Sequence, residues 1–228
     1  MNRVYNCDCM DFMKDIPDNY YELGIVDPPY GIGEDGKKNH SRGKLAKPTK
    51  YKIKKWDSKI PEKIYFDELF RISKNQIIWG GNYFIDFLKN TSCFIVWDKL
   101  NTGDFSDCEI AWTSFNKAIR KFTFMWNGML QGDMKNKEIR IHPTQKPVAL
   151  YKWLLQNYAK EGDKIFDSHV GSGSSRIACY ELGFNFEGCE LDKDYWKDQE
   201  KRFKKEKARI DGRFYLSEEN NLLFKDIK

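Results

Sequence analysis

Short apolar runs alternate along the chain with stretches whose apolar residues recur at helical spacing, and polar or glycine-containing turns separate them. Strands are predicted at residues 2–5, 23–26, 76–79, 93–97, 164–167 and 184–189. Helices are predicted at residues 10–16, 60–73, 83–88, 148–158, 174–182 and 194–210. This alternation is typical of an α/β domain with a mostly parallel sheet and helices on both faces. Two further runs, 109–113 and 121–126, flank a turn and predict an antiparallel hairpin at the edge of the sheet.

The strand predicted at residues 23–26 runs directly into Asp27-Pro28-Pro29-Tyr30. Neither proline has an N–H to donate, so the chain must leave the sheet at this point. A carboxylate and an aromatic ring are then presented at the carboxyl edge, where open α/β sheets bind ligands. An acceptor beside a ring suits a flat, hydrogen-bonding guest such as a nucleobase. The alternative is a Pro-Pro turn in which Asp27 caps a backbone N–H.

A glycine-containing turn follows the strand predicted at residues 164–167 and leads into a helix. Glycine lets the backbone approach a ligand, and the helix N-terminus offers free N–H groups to an anion. The next strand ends in Glu190, about 20 residues further on, where an acceptor for ribose hydroxyls is expected. Near the N-terminus, Asp8 either caps a short helix or faces a ligand from a strand end. Taken by itself, the segment from His142 to Pro147 indicates a rigid start of the following helix, because Pro147 fits its first turn.

Composition adds a basic segment to this pattern. The chain has 228 residues, a net charge of +5 and a pI near 8.7, which suits a single domain, residues 1–228. Residues 31–59 carry ten lysines and arginines with few apolar residues, and predict a mobile insertion. The segment is either a solvated linker or, as we favour, a loop that contacts phosphates. The candidate contacts are Lys37, Lys38, Arg42, Lys44, Lys54 and Lys55.

The cysteines and the hydropathy profile exclude several classes of protein. The six cysteines form no Cys-x-x-Cys pair and show no zinc-like spacing with histidine, so no metal site is expected. We interpret them as reduced thiols of a cytoplasmic protein. No apolar run is long enough to span a bilayer, and no signal peptide is recognised, so a membrane partner is not expected.

Three motifs in this order resemble the β-class amino-methyltransferases of DNA, which use S-adenosylmethionine. They are Asp-Pro-Pro-Tyr at 27–30, His-Pro-Thr-Gln-Lys-Pro at 142–147 and Asp-x-x-x-Gly-Ser-Gly at 167–173. The resemblance covers the chain from residue 2 to about residue 203. It implies a Rossmann-like methyltransferase sheet that is circularly permuted, because the catalytic motif precedes the cofactor loop.

The resemblance also implies roles for individual residues. Asp27, Pro28, Pro29 and Tyr30 would be catalytic, with Asp27 also on the cofactor side. The methionine part of the cofactor would meet Asp167, Gly171 and Gly173, with Ser174 near its carboxylate and Thr144 and Lys146 closing over it. Glu190 would accept the ribose hydroxyls, and Asp8 and Cys9 would contact the adenine ring.

Two departures from the family pattern affect these expectations. Ser168 and His169 stand where the family usually has Pro and Phe, so His169 is expected to weaken cofactor binding or to make it pH-sensitive. The recognition region, residues 127–141, is very short. Sequence reading would then come from the basic insertion, from a homodimer or from a partner subunit.

The expected activity is methyl transfer to the exocyclic N6 of a flipped adenine in a specific sequence of double-stranded DNA. Asp27 favours adenine by analogy, because cytosine enzymes of the family more often carry Ser at this position. The alternatives are cytosine N4 in DNA, adenine in RNA, or a nucleic-acid-binding relative with weak or no catalysis.

Overall fold

The computed structural model describes residues 1–34, 51–52, 54–101, 106–127 and 130–223, with side chains described as far as residue 213. The strands are β1 (Asn2–Tyr5), β2 (Tyr21–Val26), β3 (Ser73–Trp79), β4 (Phe94–Asp98), β5 (Cys108–Thr113), β6 (Arg120–Thr123), β7 (Trp126–Asn127), β8 (Leu130–Gln131), β9 (Lys164–Asp167) and β10 (Asn185–Cys189). The helices are α1 (Cys9–Met13), α2 (Lys63–Ile72), α3 (Val148–Tyr158), α4 (Ser174–Glu181) and α5 (Lys193–Leu223).

One sheet carries eight of these strands in the order β1-β10-β9-β2-β3-β5-β4-β6. The strands from β1 to β3 in that order are parallel, β5 is antiparallel to both β3 and β4, and β6 is parallel to β4. The remaining two strands, β7 and β8, form a small separate hairpin. The predicted α/β class with a mostly parallel sheet is therefore confirmed.

The strand pairing at the edge differs from the prediction, which joined residues 109–113 and 121–126 in one hairpin. The antiparallel hairpin is instead formed by β4 and β5, and β6 lies outside it, parallel to β4. Burial explains the difference. Ala111, Trp112 and Thr113 of β5 are buried and need a partner strand on each side, whereas the polar β6 is largely exposed and takes the edge.

Two helix predictions also change. Residues 83–88 form parts of two single 3-10 turns, Gly81–Tyr83 and Ile85–Phe87, instead of a helix. Gly80 precedes the first turn in the left-handed conformation, and the short segment closes i to i+3 bonds such as Tyr83 N–H to the Gly80 carbonyl at 2.8 Å. At the other end of the chain, α5 extends well beyond the predicted residue 210, to Leu223.

Helices cover both faces of the sheet, as predicted. Ile77 and its neighbour Ile78 in β3 lie in different apolar clusters, because successive strand residues point to opposite faces. Leu150 and Leu154 of α3 belong to the first cluster, and Leu69 of α2 belongs to the second. Both clusters consist of buried side chains, so the sheet is the centre of the core.

The strands β2 and β9 place two of the predicted motifs at the same edge. They are parallel neighbours, with Leu23 opposite Ile165 and Gly24 opposite Phe166. Asp27 and the turn after Asp167 therefore both leave the sheet at its carboxyl edge. From β9 the chain proceeds to β10 on one side, and from β2 to β3 on the other, so this pair is the topological switch point where such sheets bind ligands.

Among the described residues, no helix is both long enough and apolar enough to cross a membrane. The six cysteines are free thiols. The described part of the chain contains no cluster of three or more metal-binding side chains.

Candidate active site

Asp27 lies directly after β2, and other side chains engage both of its carboxylate oxygens. The Tyr30 hydroxyl donates to Oδ1 at 2.5 Å, and Lys146 Nζ donates to Oδ2 at 2.5 Å. The described contacts of the carboxylate are thus to side chains, which disfavours the alternative of a turn in which Asp27 caps a backbone N–H. The carboxylate remains 16% exposed at the edge of the sheet.

Lys146 lies on Asp27, 119 positions away in the sequence, and is only 4% exposed. Its Nζ is also 3.2 Å from Glu109 Oε2 and 3.3 Å from the Tyr30 hydroxyl. Glu109 lies near the start of β5, and because β5 is antiparallel to β3, its first residues are at the same sheet edge as Asp27. Lys99 Nζ donates to Glu109 Oε1 at 2.9 Å. Sequence reasoning missed Glu109, because an acid near the start of a strand belongs to no motif.

The pKa values of these groups follow from burial and from their charged neighbours. Burial and the nearby Glu109 raise the pKa of Asp27, against the opposing effect of Lys146. Burial acts against the charged forms of Glu109 and Lys146 as well, but their ion pairs prevail. The pKa of Glu109 is therefore lowered by Lys146 and Lys99, and the pKa of Lys146 is raised by Asp27 and Glu109.

Tyr30 is held by its ring as well as by its hydroxyl. The ring stacks on Tyr83 with centroids 4.9 Å apart and an interplanar angle of 15°. It also lies against Gly80, whose φ is +70°, and a Cβ at that position would come within 2.2 Å of Tyr30 Cε1. Tyr83 is 41% exposed, so the stacked pair reaches the surface beside Asp27.

The glycine turn after β9 meets the end of β10 as the sequence predicted. Gly171 and Gly173 both have positive φ, +54° and +78°, which favours glycine at each position. The Gly171 N–H donates to Glu190 Oε2 at 2.8 Å, and the Asp192 N–H donates to Glu190 Oε1 at 2.8 Å. Burial raises the pKa of Glu190 to about 7.

Asp167 is a buried carboxylate at the start of this turn, 1% exposed. It accepts hydrogen bonds from Ser175 Oγ at 2.6 Å and from the His169 N–H at 3.0 Å. Burial raises its pKa to about 7. Within the described ranges, no basic side chain forms an ion pair with it, so the site can accommodate a cationic group.

Ser168 and His169, the two departures from the family pattern, form a hydrogen-bonded chain with α2. Ser168 Oγ is 2.7 Å from the Tyr65 hydroxyl and 2.8 Å from His169 Nδ1. Burial lowers the pKa of His169 to about 4, so the imidazole is neutral near pH 7. The pH-sensitivity suggested for this ring is therefore not expected around neutral pH. Nothing in the sequence identified Tyr65 as the third member.

The other predicted cofactor residues lie on the surrounding elements. Asp8 caps α1 by accepting from the Met10 N–H at 2.8 Å, so the capping interpretation holds, and burial raises the pKa of Cys9 to about 12. Thr144 Oγ1 lies 3.2 Å from His142 Nδ1, while Ser174 Oγ accepts from Arg202 at 3.0 Å. Their contacts with a cofactor remain predictions.

The basic insertion was predicted to contact DNA. Most of the lysines and arginines named in that prediction lie outside the described residues, namely Lys37, Lys38, Arg42 and Lys44. Lys55 is exposed. Lys54 is instead paired with Asp192 at 2.7 Å and with Asp194 at 3.0 Å, which satisfies its charge within the protein. In the predicted recognition region, Glu138 joins the body of the domain, accepting from the Val148 N–H at 2.9 Å and from Arg202 at 2.6 Å.

Comparison with known proteins finds one family model, described as "DNA methylase", over residues 110–201. The Type II methyltransferase M2.DpnII of Streptococcus pneumoniae is 27% identical over an alignment 245 positions long, gaps included, which covers 89% of this chain and 90% of the relative. The crystal structure of the M1.HpyAVI–SAM complex is similar with a TM-score of 0.56 and 23% identity, covering 89% of this chain and 100% of that one. The cytosine-N4-specific PvuII DNA methyltransferase has a TM-score of 0.58 at 12% identity, covering 92% and 93%.

Proposed function

Since this chain belongs to the amino-methyltransferase family of DNA methylases, whose cofactor is S-adenosylmethionine, we propose that it methylates the exocyclic N6 of a flipped adenine. The substrate would be a specific sequence in double-stranded DNA. The observation that carries this proposal is the common position of Asp27 and the Gly171 turn at the switch point of the sheet.

The residues after β9 and β10 fit the cofactor. S-Adenosylmethionine supplies, when bound, an activated methyl group on a sulfonium and carries a second cation, the ammonium of its methionine part. The buried Asp167 lacks a cationic partner among the described residues and suits such a group, and Gly171 and Gly173 keep the turn free of side chains. Glu190 would accept the ribose hydroxyls, with Ser174 near the carboxylate.

The cofactor's adenine and methionine parts would meet further residues of this chain. Asp8 and Cys9 would contact the adenine ring, and Thr144 would close over the methionine part. Asp8 fits this role because the helix cap uses its Oδ1, and Oδ2 has no hydrogen bond to the residues that the structure describes.

Asp27 and the Pro28 carbonyl would each accept one N–H of the adenine amine. Those two bonds would hold the nitrogen close to tetrahedral geometry and would stabilise the positive charge that develops on it. No prior deprotonation of the amine is needed. Because Pro28 and Pro29 fix the backbone after Asp27, the two acceptors are positioned before the base arrives.

Tyr30 would stack on the flipped base, and the exposed Tyr83 extends that aromatic surface. Extrusion of a base from the duplex costs a few kcal/mol. Stacking contributes about 1–3 kcal/mol per base, and cationic contacts to the phosphates add to it, so together they offset the extrusion. Lys37, Lys38, Arg42, Lys44 and Lys55 remain the candidates for those phosphate contacts.

The test is to incubate the protein with unmethylated DNA and labelled S-adenosylmethionine, digest the product to nucleosides and identify the modified base by mass. N6-methyladenine is expected. N4-methylcytosine would assign the enzyme to the cytosine amine, and label in RNA alone would reject DNA as the substrate. No label in any nucleic acid would support a non-catalytic relative.

A further inference from the structure

Asp27 is already engaged by two partners in the free protein. Tyr30 occupies Oδ1 and Lys146 occupies Oδ2, each at 2.5 Å. The proposed function requires this carboxylate to accept an N–H of the target amine. Each oxygen can accept a second hydrogen bond, but the positive charge that would develop on the amine is repelled by an ammonium held on the same carboxylate, so withdrawal of one partner favours the reaction.

The structure favours withdrawal of Lys146 over Tyr30. The Tyr30 ring is fixed between its stacking partner Tyr83 and the backbone at Gly80. Lys146 has a four-carbon side chain with rotatable bonds, and its Nζ already lies 3.2 Å from Glu109 Oε2. A small rotation of the ammonium would exchange one carboxylate for the other.

Glu109 is prepared to receive that ammonium. Lys99 binds only its Oε1, at 2.9 Å. Its Oε2 is buried and already forms an ion pair with Lys146 Nζ at 3.2 Å, but among the described residues this contact lacks the geometry of a well-directed hydrogen bond. A buried acceptor without a hydrogen bond is costly, so a closer approach of Lys146 satisfies it. If Glu109 were absent, the ammonium of Lys146 would have no charged partner in this buried site after it moved away from Asp27.

We propose that Glu109 is a positioning residue that draws Lys146 off Asp27 when the amino group of the target base enters. This inference rests on the proposed function. Lys146 thus keeps the carboxylate of Asp27 satisfied in the free enzyme, and Glu109 stabilises the ammonium in the complex with the base.

Steady-state kinetics with S-adenosylmethionine and unmethylated duplex DNA provide the first test. We expect Glu109→Gln to lower kcat roughly 10- to 100-fold at saturating DNA, while KM for the cofactor stays within about twofold. Glu109→Asp keeps a carboxylate and should recover most of that rate. Glu22→Gln is the matched control, because Glu22 pairs with Lys74 at 3.0 Å near the start of β2, and it should leave kcat unchanged. A Glu109→Gln variant with the wild-type kcat would overturn the proposal.

A double-mutant cycle distinguishes this role from a merely structural one. Lys146→Met removes the ammonium that has to move. In this background, the additional substitution Glu109→Gln should change kcat by less than about twofold. The comparison is made at high pH, where the carboxyl group of Asp27 is ionised. Two outcomes contradict the proposal. One is an equal loss from Glu109→Gln in both backgrounds, and the other is a Lys146→Met variant that binds S-adenosylmethionine as the wild type does yet transfers no methyl group at high pH.

Carbon-13 NMR of the Asp27 carboxyl in the free protein is the second measurement. Glu109→Gln removes a negative charge and should lower the pKa of Asp27, whereas Lys146→Met should raise it. The other groups facing Asp27 are Tyr30, Tyr65 of α2, Tyr151 of α3 and Asp167 of β9, and all are the same in these variants.

The titration needs neither DNA nor methyl transfer, so it separates the two hypotheses. Wild-type protein that methylates no nucleic acid would reject the proposed function and the step in which the base displaces Lys146, but the titration would still show whether Glu109 acts on Asp27 in the free protein. An Asp27 pKa that does not move in Glu109→Gln would reject the role of Glu109 alone.

Discussion

Gly80→Ala should displace Tyr30 without changing any residue of the Asp-Pro-Pro-Tyr motif at 27–30. Gly80 has a φ of +70°, and an added Cβ would lie 2.2 Å from Tyr30 Cε1, far inside van der Waals contact. The left-handed backbone costs an alanine about 1–2 kcal/mol, and forcing a side chain into a packed site costs about 1–3 kcal/mol more. We therefore expect the free energy of unfolding to fall by about 2–5 kcal/mol.

Gly183→Ala is the matched control for this prediction. Gly183 has a similar φ of +78°, but apart from its chain neighbours no heavy atom of the described residues lies within 4 Å of the added Cβ. This variant should lose only the backbone contribution of about 1–2 kcal/mol and should keep its activity. Urea denaturation gives the free energy of unfolding, and incorporation of labelled methyl groups gives the activity.

In Gly80→Ala the rate of methyl transfer should fall at least about tenfold. The added methyl group would push the Tyr30 ring out of its place, so Tyr30 could not keep its stacked position and its hydrogen bond to Asp27 Oδ1 at the same time. Equal losses of stability and unchanged activity in both alanine variants would contradict this prediction. In that case the contact between Gly80 and Tyr30 would not hold the site.

Three further predictions concern single groups. Asp27→Ala should abolish methyl transfer yet leave the affinity for S-adenosylmethionine within about twofold by calorimetry; normal turnover would remove Asp27 from the mechanism. Burial raises the pKa of both Asp167 and Glu190 to about 7. Between their ordinary pKa values and about pH 7, these carboxyl groups are therefore protonated to a greater extent in the folded chain than in the unfolded chain. The free energy of unfolding of the free protein should therefore fall as pH rises from about 5 to 8 while cofactor binding tightens, and a flat cofactor profile would contradict this. Tyr65→Phe removes the hydroxyl bound to Ser168 and should cost about 1 kcal/mol by denaturation, and an unchanged stability would show that this bond is not stabilising.

Local patterns in the sequence were enough to predict most elements of the fold. The strands Asn2–Tyr5 and Lys164–Asp167 and the helix Val148–Tyr158 have the predicted bounds. Turn chemistry also indicated the ends of β2, β9 and β10, because prolines, glycines and a terminal acid each act on a few neighbouring residues. The motif order indicated the family for the same reason, since each motif is a short local constraint.

Only the tertiary structure decided which distant groups meet. The position of β5 between β3 and β4 depends on burial of both its edges, which the hairpin interpretation of its sequence could not include. The motif placed Lys146 near the cofactor, and in the structure its ammonium contacts Asp27 and Glu109. These contacts form because the packing of the sheet brings three separate segments of the chain to one edge. An ion pair depends on distance in space and on desolvation, and neither is encoded in the spacing of residues along the chain.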